Sequence, residues 1–140
     1  MRGVRDYAVS YAVCGLIFMI MDAVWLTLMS ERLYRAELGE LLAPRPRLLP
    51  AVLFYLIYLA GVVAFAIAPA LESGRARLAL IRGAGFGFVA YATYDLTNQA
   101  TLATWSTKVT VLDLMWGATV TALSAAGAAI VMLRFRRRAH

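Results

Sequence analysis

Charged residues are nearly absent from four long windows, roughly residues 7–30, 50–69, 82–102 and 109–132, and this spacing limits the fold more than any motif does. Each window is close to the about twenty residues that a helix needs to cross a hydrocarbon core about 30 Å thick. The chain is 62% hydrophobic and only 16% charged over 140 residues, far from the balance of a water-soluble domain. A soluble bundle of four all-round apolar helices needs polar elements to cover it, and the remaining segments are too short to supply them. The expectation is therefore an all-α protein, a four-transmembrane-helix bundle forming one integral membrane domain over residues 1–140. A short interfacial amphipathic segment is expected between helices 1 and 2.

Arg2 and Arg5 precede the first window in the manner of a secretory signal. The apolar run nevertheless continues through Trp25 to Met29, carries Asp22 and offers no small-x-small cleavage site before a soluble domain. It reads as a retained signal anchor. Cys14, the only cysteine, has no partner for an internal disulfide, so packing is its expected role.

With four spans both termini share a side. That side collects nine basic residues, namely Arg2, Arg5, Arg75, Arg77, Arg82, Arg134, Arg136, Arg137 and Arg138, against five on the other, Arg32, Arg35, Arg45, Arg47 and Lys108. The more basic side stays in the cytoplasm, so both termini are expected there. A net charge of +6 fits contact with anionic head groups of the lipid bilayer. No nucleic-acid partner is expected, because the basic residues sit at span ends without an aromatic-interleaved patch.

The first connection, Ser30 to Leu49, is the one sizeable segment outside the windows. Glu31, Arg32, Arg35, Glu37 and Glu40 alternate there with Leu33, Tyr34, Leu38, Leu41 and Leu42 at helical spacing, which predicts an amphipathic helix along the outer membrane surface. Pro44, Pro46 and Pro50 then break it and start the second span, where proline is tolerated in the first turn.

Three carboxylates inside the windows are the most informative feature. An Asp at the bilayer centre costs about 2.5–3.5 kcal/mol even on a lenient scale, so each needs a partner or a purpose. At 1.5 Å per residue, Asp22, Asp95 and Asp113 lie roughly 12, 10 and 8 Å below the same non-cytoplasmic surface. Tyr91, Tyr94, Asp95 and Asn98 follow at i, i+3, i+4 and i+7, a single helical face that must point into the bundle. Asp22 with Trp25, and Asp113 with Trp116, form two Asp-x-x-Trp pairs on antiparallel helices, so that Trp25 lies above its Asp and Trp116 below. Tyr55 and Tyr58 sit one turn apart in the outer half of the second span. The candidate ligand- or proton-binding set is thus Asp22, Trp25, Tyr55, Tyr58, Tyr91, Tyr94, Asp95, Asn98, Asp113 and Trp116. The same groups could instead only cross-brace the helices, with Tyr, Trp and Asn donating to the carboxyls. Bracing alone is achieved more cheaply with Ser or Thr, and this favours a polar pocket.

Gly83, Gly85 and Gly87 lack the preceding strand of a phosphate-binding loop. Gly83 and Gly87 instead form a Gly-xxx-Gly contact for close helix approach, and Ala125 to Ala129 offer a second small surface. Either could serve internal packing or a homodimer.

Asp22-Ala-Val-Trp25-Leu, Leu42-Ala-Pro44-Arg-Pro46, Tyr91-Ala-Thr-Tyr94-Asp95-Leu-Thr-Asn98 and Asp113-Leu-Met-Trp116-Gly117 together resemble the signatures of a bacterial family of predicted inner-membrane proteins, domain of unknown function 2177. The resemblance covers nearly the whole chain, and the Tyr-Ala-Thr-Tyr-Asp-Leu-Thr-Asn string is its specific part. It implies a small multi-pass protein of the bacterial inner membrane and carries no activity, catalytic residue or cofactor.

Three uses of such a site are compatible with the residues. A binding or transport protein would hold a proton, metal ion or organic cation on the Asp layer, with Tyr and Trp faces adding cation–π contacts, and would need to assemble into a homo-oligomer to form a conduit. An enzyme would act on a lipid or isoprenoid with one Asp as general acid or base, although the windows hold no His and no Ser-His-Asp set. An accessory subunit would use the polar layer to hold itself together while its outer surface grips a larger membrane complex.

Overall fold

The structure, a computed structural model, describes residues 3–138. Arg2, counted above for the more basic face, lies outside the described residues. Four long helical rods make up nearly everything described, and no strand occurs among the described residues. They are α1 (Val4–Leu41), α2 (Leu48–Ser73), α3 (Ala76–Thr101) and α4 (Thr107–Arg138). Each expected window falls on one rod; α2 and α4 overrun theirs by up to about two turns, α1 runs about three turns past its window to Leu41, and α3 begins before its window and ends at Thr101, one residue short of it. α1, α2 and α4 are long and apolar enough to cross a membrane. α3 is equally long, but Arg77, Arg82, Asp95 and its Tyr, Thr, Asn and Gln residues keep its apolarity below that of its neighbours.

Local chemistry accounts for the boundaries. Pro50 is the third residue of α2, where the missing N–H would have had no intrahelical acceptor. Gly74 ends α2 in the left-handed conformation, φ +67°, and the next amide, Arg75, turns back to the Ala70 carbonyl. Ser106 opens α4, its hydroxyl accepting the Val109 amide at 3.3 Å. Within α2, Pro69 cannot donate to the carbonyl of Phe65, four residues earlier. A π-helical stretch, Val63–Ile67, relieves the ring clash, and Arg82 of α3 donates to the Phe65 carbonyl at 3.4 Å. Arg136 likewise reaches the Leu71 carbonyl near the end of α2 and pairs with Asp6, tying α1, α2 and α4 together at one end.

α3 and α4 form the most extensive contact and run antiparallel along their whole length. Small residues make this approach close. A Cβ on Gly83 would come within 2.9 Å of the Thr121 carbonyl oxygen, and one on Gly87 would collide with the Gly117 carbonyl. Ala125 and Ala129 are fully buried. Both small-residue surfaces are therefore used inside the bundle, as the Gly-xxx-Gly spacing allows. The core contains Cys14, Phe18, Val62, Ile67 and Val120, so Cys14 packs as expected. Large apolar side chains such as Ile57, Val89 and Met115 remain exposed on the outside, the arrangement of a bundle solvated by hydrocarbon rather than by water.

The first connection does form helix, but as a prolongation of α1. A π-helical stretch, Ser30–Arg35, leads into Ala36–Leu38 and a last tight turn, Gly39–Leu41. Leu33 and Leu38 of its apolar face are buried against Val109, Trp25 and Trp105. Glu37 accepts from Ser106 at 2.7 Å and pairs with Lys108 at 3.6 Å. The segment thus covers one end of the bundle and is held to the α3–α4 turn.

Candidate functional site

Under this cover lie the three carboxylates Asp22, Asp95 and Asp113, all buried. Asp22 of α1 is fully occupied. Tyr55 of α2 donates to its Oδ2 at 2.5 Å, and Trp116 of α4 donates to its Oδ1 at 3.2 Å. Asp113 of α4 accepts from Tyr34 at 2.5 Å, and the Tyr34 hydroxyl in turn accepts the Trp25 indole N–H at 2.9 Å. The indoles of Trp25 and Trp116 stack between the two carboxylates, with centroids 4.6 Å apart and planes 5° from parallel.

The two Asp-x-x-Trp pairs therefore work crosswise. On antiparallel helices, the Trp one turn above Asp22 reaches the level of Asp113, and the Trp one turn below Asp113 reaches the level of Asp22. Trp116 serves Asp22 directly, and Trp25 serves Asp113 through Tyr34. Tyr55, Asp22, Trp116, Trp25, Tyr34 and Asp113 form one continuous polar and aromatic chain through α2, α1, α4 and the cover.

Asp95 of α3 differs. It is 0% exposed, and its carboxyl lies against that of Asp113 closely enough to interact, yet neither Asp95 oxygen has a hydrogen-bond partner of ordinary geometry. Buried polar atoms are nearly always partnered, and a bare carboxyl in a membrane-embedded bundle is the costliest exception. Beside the pair, a cavity of about 280 Å³ is lined by Phe54, Ala90, Tyr91, Tyr94 and Asp113. It lies between the first half of α2 and the second half of α3, where the two rods diverge. Their backbones come close from the π-helical stretch of α2 onward, and before it aromatic side chains such as Tyr58 and Phe86 bridge the gap.

The remaining candidates divide between these regions. Tyr58 shares a hydrogen bond of 2.7 Å with Thr121 and packs among Phe18, Phe54 and Phe86, so it braces α2 on α4. Tyr91 lines the cavity, and its ring lies where a side chain on Gly117 would be, so glycine at 117 makes its place. Tyr94 stands at the cavity mouth with its ring edge-on to Trp105. Asn98 lies by the Tyr94 phenol, one turn beyond Asp95 and Asp113. Among the described residues no three His, Cys, Asp or Glu side chains come together closely enough to hold a metal ion.

Three contributors are absent from the expected site residues: Tyr34, Phe54 and Trp105. By sequence Tyr34 belongs only to the amphipathic pattern. At about 100° per residue it should sit about 120° around α1 from Asp22, and the one-residue excess of the π-helical stretch brings it back to within about 20°. Trp105 donates to Thr110, which donates to Gln99, closing the α3–α4 turn. The Gly-free, aromatic 102–106 turn is the available signal for it.

Fold and buried polar layer together define a multi-pass, all-helical membrane protein. Within that class the chain belongs to the family described as predicted membrane protein, domain of unknown function 2177, which matches residues 7–130. No curated protein and no solved structure gives a significant match.

Proposed function

We propose that this protein binds a cation at the Asp95–Asp113 pair, and that in the absence of another cation the two facing carboxyls hold a proton between them. The observation that carries this reading is the bare, fully buried Asp95 carboxyl beside a carboxyl that lines a cavity. Two carboxylates this close in a medium of low dielectric do not both stay charged without a counter-ion, so the pair must take up a proton or a larger cation. A proton, a metal ion and an organic cation all meet that electrostatic need. With no third anionic or imidazole ligand at hand among the described residues, a metal ion would draw on tyrosine hydroxyls or water.

The proposed setting is the cell's inner membrane, with all four rods crossing it. α3 qualifies despite its polar residues because it lies along the whole of α4 and turns Gly83, Gly87 and Asp95 into the bundle. The excess of basic residues near both termini supports a cytoplasmic placement for them, which puts the Asp95–Asp113 pair in the non-cytoplasmic half. Association into a homo-oligomer would be required only if the cation passes through, since the α3–α4 seam leaves no conduit of its own.

Infrared difference spectroscopy of the protein in lipid, taken between acidic and alkaline pH, tests this. A protonated-carboxyl band is expected in the wild type, and it is expected to shift or disappear in both Asp95→Asn and Asp113→Asn while persisting in place in Asp22→Asn. A band unchanged in the first two variants, or none in the wild type, would exclude the shared proton and the reading with it.

A further inference from the structure

The cavity beside Asp113 has two features that a proton site does not need, and they constrain what else enters. Its wall is almost entirely ring and methyl surface, with Phe54, Tyr91, Tyr94 and Ala90 around a single carboxylate. Its mouth does not face either end of the bundle. Phe54 is 47% and Tyr94 61% exposed, on the banks of the gap between α2 and α3, and Leu53, Ile57 and Val89 are exposed on the same two rods. Phe54 lies about one turn inside the second apolar window and Tyr94 about two turns inside the third, flanked by these exposed apolar side chains, so the gap opens sideways onto lipid near one end of the bundle.

We infer that this cavity takes the ammonium head of a membrane-dissolved amphiphile, which enters between α2 and α3 with its hydrocarbon tail left in the bilayer. The inference rests on the cation reading of the Asp95–Asp113 pair and names the ligand class. Three physical arguments converge on it. Aromatic faces attract a desolvated ammonium, and a carboxylate among them neutralises it, a combination that binds alkylated amines better than small hydrated ions. A volume of about 280 Å³ is at the small end for ligand pockets, enough for a head group but not for a whole lipid, so any chain must remain outside. The outside is apolar on both banks of the mouth, which suits a chain and repels a water-borne ion.

Bound there, the ammonium would lie against Asp113 and within the field of Asp95. The bare carboxyl gains its missing counter-charge without a direct hydrogen bond. Asp113 lines the cavity while its Oδ1 accepts from Tyr34.

Equilibrium binding to the protein in lipid nanodiscs, with empty nanodiscs as the partition blank, tests the inference using three probes: dodecyltrimethylammonium, dodecanol and tetramethylammonium. The cationic amphiphile should bind saturably and about tenfold or more tighter than either of the others. Asp113→Asn should weaken it about tenfold, and Tyr94→Leu, at the exposed mouth where folding is not at stake, should weaken it severalfold. Equal binding of dodecanol would show a site blind to charge and overturn the proposal. Tetramethylammonium binding as tightly as the amphiphile would show a water-borne ligand and overturn the lipid route. Wild-type affinity in both variants would remove the cavity from the site. The infrared band of the Asp95–Asp113 pair is read on the same samples, so loss of this inference with the band intact leaves the shared-proton reading standing.

Discussion

Asp22 and Asp95 are two carboxylates of the same kind at similar depth in the same bundle, and the structure treats them oppositely. Asp22 has a donor on each oxygen, supplied by α2 and α4, and so closes three helices around itself. Asp95, on the helix that lies along α4, has no donor of ordinary geometry and faces only the Asp113 carboxyl. A carboxyl with both oxygens bonded is structural cement whose removal exposes its partners. A carboxyl that is bare and buried weakens the fold, and its presence calls for a ligand or proton to explain it. The three-Asp layer is thus two regions: a braced one around Asp22, and an open one in which Asp113 faces both Asp95 and the cavity.

The largest effect that could break this division is on Asp22. Replacing it with Ala leaves the Tyr55 hydroxyl and the Trp116 N–H without acceptors in an apolar interior, and should lower unfolding stability by about 3 kcal/mol. Asp22→Asn, which keeps one good acceptor, should cost about 1 kcal/mol. Thermal or denaturant unfolding in lipid or mild detergent reads both. Equal, negligible losses would mean that the braced half is not braced by its carboxylate.

Asp95 should move the other way. Asp95→Leu, close in volume and apolar, exchanges a buried carboxyl whose one neighbour is another carboxyl for apolar surface, and should raise the stability of the ligand-free protein by about 1–2 kcal/mol. The gain should come with loss of the cation response. A destabilised Asp95→Leu would show that Asp95 holds the fold together as Asp22 does, and would merge the two halves into one.

The division also shows what the residues reveal unaided. The sparing of charge locates all four rods, and hydropathy marks three of them as apolar enough to cross a bilayer, a length and composition that no short-range preference imitates. Of the face Tyr91, Tyr94, Asp95, the carboxyl of Asp95 is buried and Tyr91 half-buried, whereas Tyr94 does not turn inward as its spacing predicts but stays exposed at the bundle's edge; the two Asp-x-x-Trp pairs meet because antiparallel helices bring offset residues to one level. Partner assignment is not legible. Helical phase identifies the face of Asp22 and of Asp95 but not that two donors converge on one and none on the other, since donors come from helices whose rotation is set by packing. Gly87 against Gly117 fixes how near α3 stands to α4, and hence where Asp95 ends, through a contact that only the folded pair shows. Tyr34 is hidden for a more local reason: a π-helical stretch shifts its phase, and the sequence from Ser30 to Arg35 contains no proline or glycine to announce it.

Tyr34 is also where the two halves are joined, which makes it the finest test of whether they are separate. Its hydroxyl accepts from Trp25, whose ring stacks on the Trp116 that serves Asp22, and donates to Asp113 of the open half. Tyr34→Phe keeps the ring under the cover and removes only this link, so the stability cost should be small, about 1 kcal/mol. The informative quantity is coupling. If the link transmits between halves, the cost of Asp22→Asn should differ by about 0.5 kcal/mol or more between the wild-type and Tyr34→Phe backgrounds, as expected for members of one network. Strict additivity in that double-mutant cycle would make the cover a lid on the open half alone. The Asp22 brace would then hold the bundle without sensing what occupies the cavity.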